Sequence, residues 1–141
     1  MRYYEVKRTI TAKPDLVWSI LTDPAVLSDG SFSILRIEGA ITASSRIDLW
    51  SEVAPKQKFS LKISSFDPGR SMVWESGMPL GLFRGARSFE VQAAGPETLF
   101  RMREDYSGPL AGLMVKMIPD LQPSFDTFGD ALKAAAEVRA A

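Results

Sequence analysis

Arg87, Glu104 and Tyr106 are the residues of this chain whose types and spacing suit chemistry. Arg87 lies in an alternating run before a Gly95-Pro96 turn; Glu104 and Tyr106 lie in the alternating run after it. Folding the runs back on that turn sets Val91 opposite Phe100, Phe89 opposite Met102 and Arg87 opposite Glu104. These residues then share one face, and Tyr106 continues its row. A few convergent polar groups in an apolar pocket orient a ligand. A carboxylate there can also act as a general base, because burial raises its proton affinity. No second acid has the right parity, since Asp105 is directed outward. The alternative is a structural ion pair, or a register that leaves both charges in water. An unpaired buried charge would cost roughly several kcal/mol, so inward-facing Arg87 and Glu104 must pair with each other or with a ligand.

The rest of the composition narrows the chemistry. The chain has no His and no Cys. That removes Ser-His-Asp and Cys-His catalysis and the usual zinc sites; no metal and no cofactor is expected. Lysine plus arginine equals aspartate plus glutamate, 17 of each. Zero net charge argues against a nucleic-acid partner and leaves a homodimer open, because near-neutral proteins tend to associate. Arg84, Arg101 and Arg103 cluster on the outward face, but Glu90 and Asp105 neutralise them, so a solvated surface is expected. The first ten residues lack an apolar leader core, and no run approaches the roughly 18 apolar residues of a membrane span. The expectation is a cytoplasmic protein without stable membrane insertion. One domain over 1–141 is expected, long enough to bury a core without disulfides.

The elements follow from the period of the apolar residues. Tyr3–Thr11 reads as a strand. Pro14 suits a first helical turn, and Asp15 complements the helix dipole there. Val17, Trp18, Ile20 and Leu21 recur at helical spacing until Asp23-Pro24 stops them, and a short turn over Ala25–Leu27 follows. From Phe32 the period becomes two. Strands are expected at Phe32–Glu38, Arg46–Val53, Lys58–Phe66, Ser71–Ser76, Leu82–Gln92 and Thr98–Ser107. Short links at Ala54–Gln57, Asp67–Arg70 and Ala94–Glu97 imply antiparallel hairpins. Across the second link Ile63 meets Trp74 and Leu61 meets Ser76. After Pro109 one long helix is expected, kinked or broken at Pro119 and Pro123. Leu110, Leu113, Met114, Met117, Ile118 and Leu121 form its stripe, and Phe125, Phe128, Leu132 and Ala135 continue it.

The order is βααββββββα: an α+β fold with about seven antiparallel strands curved around a long C-terminal helix. The short helices bridge one end of the sheet, plugged by Trp18. The concave face carries Leu49, Leu61, Ile63, Met72, Trp74, Phe89, Phe100 and Met102; the helix adds Met114, Met117, Ile118 and Leu121. These residues either fill a core or line a hollow. The methionines favour a hollow, since Met adapts to irregular guests. Met78–Phe83 reads as an apolar lip over its mouth. Trp50 has outward parity, near Lys62, and is either turned in by a bulge or available to a second subunit.

These pieces resemble the START-like superfamily, also called SRPBCC or helix-grip. The matching residues are Ala12-x-Pro14-x-x-Val17-Trp18-x-x-Leu21-x-Asp23-Pro24, Thr98-x-Phe100-x-Met102-x-Glu104, Gly108-Pro109-Leu110 and Ala131-Leu132-Lys133. The resemblance covers essentially the whole chain and is nearest to the bacterial polyketide cyclase/dehydrase and lipid-transport group. Lys13 departs from the Ser or Asp that often caps the first helix there. The resemblance implies an apolar cavity between sheet and helix for lipids, polyketides or other hydrophobic ligands. It also implies that some members close rings with cavity carboxylate, Arg and Tyr groups, and that many have no known catalysis. Three readings stand side by side: a binder or carrier of a small hydrophobic molecule, a cyclase/dehydratase-like enzyme using Arg87, Glu104 and Tyr106, or a non-catalytic dimerisation or interaction module.

Overall fold

The computed structural model describes residues 3–141; Met1 and Arg2, the start of the stretch read as lacking a leader, lie outside the described residues. Seven strands form one antiparallel sheet: β1 (Tyr3–Ile10), β2 (Ile34–Glu38), β3 (Arg46–Ser51), β4 (Ala54–Asp67), β5 (Ser71–Gly77), β6 (Arg84–Ala94) and β7 (Glu97–Ser107). Their order is β1-β7-β6-β5-β4-β3-β2, and the sheet curves into a half-barrel. Every link from β2 to β7 joins neighbours, as short hairpin connections require. The chain departs from that pattern between β1 and β2, through α1 (Pro14–Leu21) and α2 (Pro24–Leu27). Among the described residues no helix is long and apolar enough to cross a membrane.

The β6–β7 register is the one expected: Val91 faces Phe100, Phe89 faces Met102, Arg87 faces Glu104 and Glu90 faces Arg101. Across the β4–β5 hairpin Ile63 faces Trp74. Two irregularities bend β4. Ser64 is an extra residue between Ile63 and Ser65, and such a bulge kinks its strand and sharpens the twist. A second shift separates the Leu49–Phe59 pair from the Ser51–Ala54 pair. The turn expected at Ala54–Gln57 is therefore displaced: the chain reverses at Glu52–Val53, and Ala54 already pairs with Ser51. Pro55 is tolerated because β5 pairs only with the Lys62–Asp67 half of β4, so this stretch borders a free edge.

Val17, Ile20 and Leu21 are buried, closing one end of the sheet, while half-buried Trp18 packs edge-on against Phe66 of β4 at 5.5 Å. Lys13 gives α1 no side-chain cap; Asp23 caps α2, accepting from the backbone N–H of Ala25 at 3.0 Å.

The tail is not one helix. It divides into α3 (Ala111–Met114), a 3-10 turn at Val115–Met117, and α4 (Gln122–Ala140). Pro119 sits in the break, whereas Pro123 lies in the first turn of α4 and disturbs nothing. The stripe before residue 122 is thus a separate segment. Phe125, Phe128, Leu132 and Ala136 are the buried face of α4, with Ala135 only partly buried. Phe128 enters the concave face, 6.1 Å from Phe89, 6.3 Å from Phe100 and 5.1 Å from Phe32, centroid to centroid. Gly129 lets α4 lie directly on β1: a Cβ there would stand 2.8 Å from Val6 Cγ2.

Candidate functional site

At the end of the sheet away from α1, the concave face and the α3–α4 segment do not meet. A cavity of about 460 Å³ lies between them, within the roughly 300–1,000 Å³ range of small-molecule pockets. β3 and β4 supply Leu49, Phe59 and Leu61; β5, β6 and β7 supply Trp74, Arg87, Met102, Glu104 and Tyr106. The opposite wall is Met114, Met117, Ile118 and Leu121 with Phe125 and Phe128 of α4. Its edge is apolar too, for Met117 and Val53 are exposed.

The cavity's charged lining residues are Arg87 and Glu104. Arg87 Nε donates to Glu104 Oε1 at 2.7 Å, and Tyr106 Oη donates to Glu104 Oε2 at 2.5 Å. The Arg87 side chain is 24 % exposed and that of Glu104 16 %. The guanidinium lies 4.7 Å from the centre of the Phe125 ring, a cation–π arrangement. Phe83 stacks on Tyr106 at 5.9 Å, and Tyr4 meets it edge-on at 6.3 Å. Burial first, and then the Glu104 charge, push the Tyr106 phenol well above its ordinary range. It therefore stays protonated at any working pH and keeps its hydrogen for Glu104. Trp74, paired with Arg87 in the β5–β6 ladder, is buried, and its Nε1–H has no hydrogen-bond partner among the described residues.

A family model described as polyketide cyclase / dehydrase and lipid transport matches residues 1–137. The chain belongs to that family. No curated protein sequence matches it. Among solved structures it is similar to the Zhui aromatase/cyclase from Streptomyces sp. R1128, with 17% identity over 98% of this chain and 94% of that one and a TM-score of 0.75. It is also similar to a START superfamily protein from Mycobacterium smegmatis, at 15% identity, 97% and 98% coverage and a TM-score of 0.72. A third is the Aha1 dimer from Colwellia psychrerythraea, at 19% identity, 98% coverage of both chains and a TM-score of 0.72. At such identities these structures share the fold, and the fold is the helix-grip α+β arrangement.

For this polyketide cyclase/dehydrase family member, the sequence-derived lining divides in two. Leu49, Leu61, Trp74, Arg87, Met102, Glu104, Tyr106, Met114, Met117, Ile118 and Leu121 all border the cavity. Ile63, Met72, Phe89 and Phe100 do not. They face inward as expected but are at most 1 % exposed, packed in the solid part of the core. For Phe89 and Phe100 the covering group is Phe128. Alternation fixes the face a residue occupies, not its depth along the strand.

Several lining residues escaped the sequence. Phe59 shares the parity of Leu61, which could have found it. Phe125 and Phe128 were assigned to the stripe but not to the wall. Ser51, Val53 and Gln57 follow from the displaced turn, which carried no readable signal. The Met78–Phe83 segment is divided between two roles. Phe83 borders the cavity, while Leu80 is 96 % exposed with φ +63° and reaches no wall. The segment is anchored by Leu110 N–H donating to the Leu82 carbonyl at 2.9 Å. Gly108 permits that approach, since a Cβ there would meet the Leu82 oxygen at 2.6 Å, and its φ is +100°.

The outward-facing arginines are neutralised, in part by the expected Glu90 and Asp105 and in part by Glu75 and Glu5, which the sequence did not point to. Arg101 reaches Glu5 at 2.7 Å and Glu90 at 3.5 Å, Arg103 reaches Asp105 at 3.0 Å, and Arg84 reaches Glu75 at 2.5 Å. Trp50 is half-buried on the convex face, with the Arg36 guanidinium 5.2 Å from its ring centre. Among the described residues no group of three or more carboxylate, His or Cys side chains converges as a metal ion requires.

Proposed function

We propose that this protein binds a small, mainly apolar molecule, lipid- or polyketide-like, in the hollow between its sheet and the α3–α4 segment. The observation that carries the reading is the 460 Å³ cavity with an apolar wall and one polar cluster. A core meant only for stability would close such a space, because each void costs packing energy. Exposed apolar residues at the mouth give a guest of this kind a path in. We read 1–141 as one ligand-binding unit of this type.

Native mass spectrometry of the gently purified protein tests the reading. A co-purified apolar adduct, lost on collisional activation and reduced after Gly85→Leu, is the expected result. A chain that never carries an adduct, from any host, and takes up none when offered hydrophobic mixtures, contradicts it.

Catalysis by the same cavity, cyclase- or dehydratase-like, is favoured by the joining of Arg87, Glu104 and Tyr106. It is weakened by the fact that both Glu104 oxygens already accept hydrogen bonds. If turnover occurs, Glu104→Gln abolishes it while affinity persists. For partners, the proposal is a homodimer through the convex face at Trp50, as one structural neighbour is a dimer. Trp50→Glu then lowers the sedimentation coefficient; an unchanged monomer removes the idea.

A further inference from the structure

The polar cluster restricts what the cavity accepts. This restriction rests on the reading of that cavity as a binding site. Glu104 has one oxygen held by Arg87 and the other by Tyr106. The carboxylate therefore needs nothing from a guest. Arg87 is different. Its bond to Glu104 uses Nε alone, so its two terminal amino groups have no hydrogen-bond acceptor among the described residues. They are not sealed off either, since the side chain keeps 24 % of its exposure and borders the cavity. Beside it in the ladder, the Trp74 N–H, itself buried, also lacks a partner among the described residues. The two unmet groups of fixed sign are thus both donors.

Charge decides the rest. The Arg87–Glu104 pair leaves this wall neutral. A guest carboxylate bonded to the terminal nitrogens of Arg87 would lie about 6 Å from the Glu104 carboxylate. At an effective dielectric constant of about 20, that repulsion cancels about a hundredfold of the roughly thousandfold that the Arg87 charge would contribute at about 4 Å, and the remainder does not repay the dehydration of a carboxylate. The apolar walls around it cannot hydrate a carboxylate. A ketone, ester or phenol oxygen accepts the same hydrogen bonds and meets no such repulsion.

We propose that the ligand is uncharged and carries a carbonyl or phenolic oxygen that accepts from Arg87, and that Glu104 is the specificity residue that keeps carboxylates out. In this arrangement Glu104 positions Arg87 and sets the charge of the wall; Tyr106 holds Glu104 in place.

Three probes of one shape test it: 2-ethylnaphthalene, 2-acetylnaphthalene and 2-naphthoate, titrated into the protein by calorimetry at pH 7. The expected order is acetyl tightest, ethyl about fivefold to tenfold weaker, and naphthoate weakest. Glu104→Gln raises naphthoate affinity at least tenfold and leaves acetylnaphthalene within about threefold. Arg87→Met removes the advantage of the acetyl over the ethyl compound while ethylnaphthalene still binds. Wild-type protein that binds naphthoate as tightly as acetylnaphthalene overturns the proposal, whatever the variants do. So does a Glu104→Gln protein, folded by circular dichroism, whose naphthoate affinity stays within about threefold of the wild type. If none of the three probes binds the wild type, the cavity-binding reading itself fails and takes this one with it.

Discussion

A double-mutant cycle on Arg87 and Glu104 probes the polar cluster without knowledge of the ligand. The perturbations are Arg87→Met, Glu104→Gln and both together. Opposite charges about 4 Å apart at an effective dielectric constant of about 20 attract by about 4 kcal/mol, before any cost of desolvation. Removing one partner of a fully buried pair costs about 3–5 kcal/mol, and of an exposed pair about 0–1 kcal/mol. With 24 % and 16 % of the side chains exposed, this pair falls between those limits. We expect about 2 kcal/mol for Arg87→Met, which also loses the stacking on Phe125, and about 1.5 kcal/mol for Glu104→Gln, where the amide oxygen still accepts. The double variant leaves no orphan charge and should cost about 2 kcal/mol, giving a coupling of about 1.5 kcal/mol. Urea unfolding at pH 7, followed by tryptophan fluorescence, measures all four proteins. Single changes that add to the double change within about 0.3 kcal/mol would refute an inward ion pair.

Three further outcomes follow from other parts of the structure. Gly85 borders the cavity, and a Cβ there would find Tyr106 at 3.6 Å, ordinary contact; Gly85→Leu should occupy part of the hollow, weaken probe binding about tenfold in a titration and change the unfolding free energy by no more than about 1 kcal/mol. Gly129→Val should destabilise by about 2 kcal/mol through overpacking against Val6, whereas Gly112→Ala, with open space around it, should be neutral or stabilising; urea midpoints decide. Glu75 is held near a pKa of about 2, against 4.5, chiefly by its hydrogen bond from Arg84. A depressed carboxylate contributes stability above its unfolded pKa and loses it as pH falls through the folded one. Glu75→Gln should therefore flatten the decline of stability between pH 4.5 and about 2, by no more than about 1 kcal/mol for a surface pair; denaturant midpoints over that range measure it.

Much of the fold was legible because its hairpins carry two independent signals. The Glu90–Arg101 and Arg87–Glu104 charge pairs select the same β6–β7 register as the Phe89–Met102 apolar pair, and a slip by one residue would spoil both. The position of Trp18 was readable for a similar reason, since helical spacing and the Asp23-Pro24 stop agree. The bulge at Ser64 was barely readable. Ser64 and Ser65 are exposed and carry no parity signal of their own; the one sign of the bulge is the three-residue spacing of Ile63 and Phe66, which both pair with the apolar row of β5. At Pro119 and Pro123 the sequence allowed a kink or a break without choosing, because the apolar stripe runs on past both; the structure breaks at Pro119 and not at Pro123. The same limit applies to the site. Pattern placed Phe89, Phe100 and Met102 on one face alike, but only the tertiary position of Phe128 decides that the first two are core while the third is wall.

The methionines offer the most direct test of the central claim. Met102, Met114 and Met117 border the cavity, Met72 is sealed in the core, and Met78 lies on the outer loop. With ¹³C-methyl-methionine labelling, titration of 2-acetylnaphthalene should shift the first three resonances together and saturably, leaving Met72 and Met78 in place. Movement confined to Met78, or no saturable change in any of them, would mean that the space between the sheet and the α3–α4 segment does not take a guest.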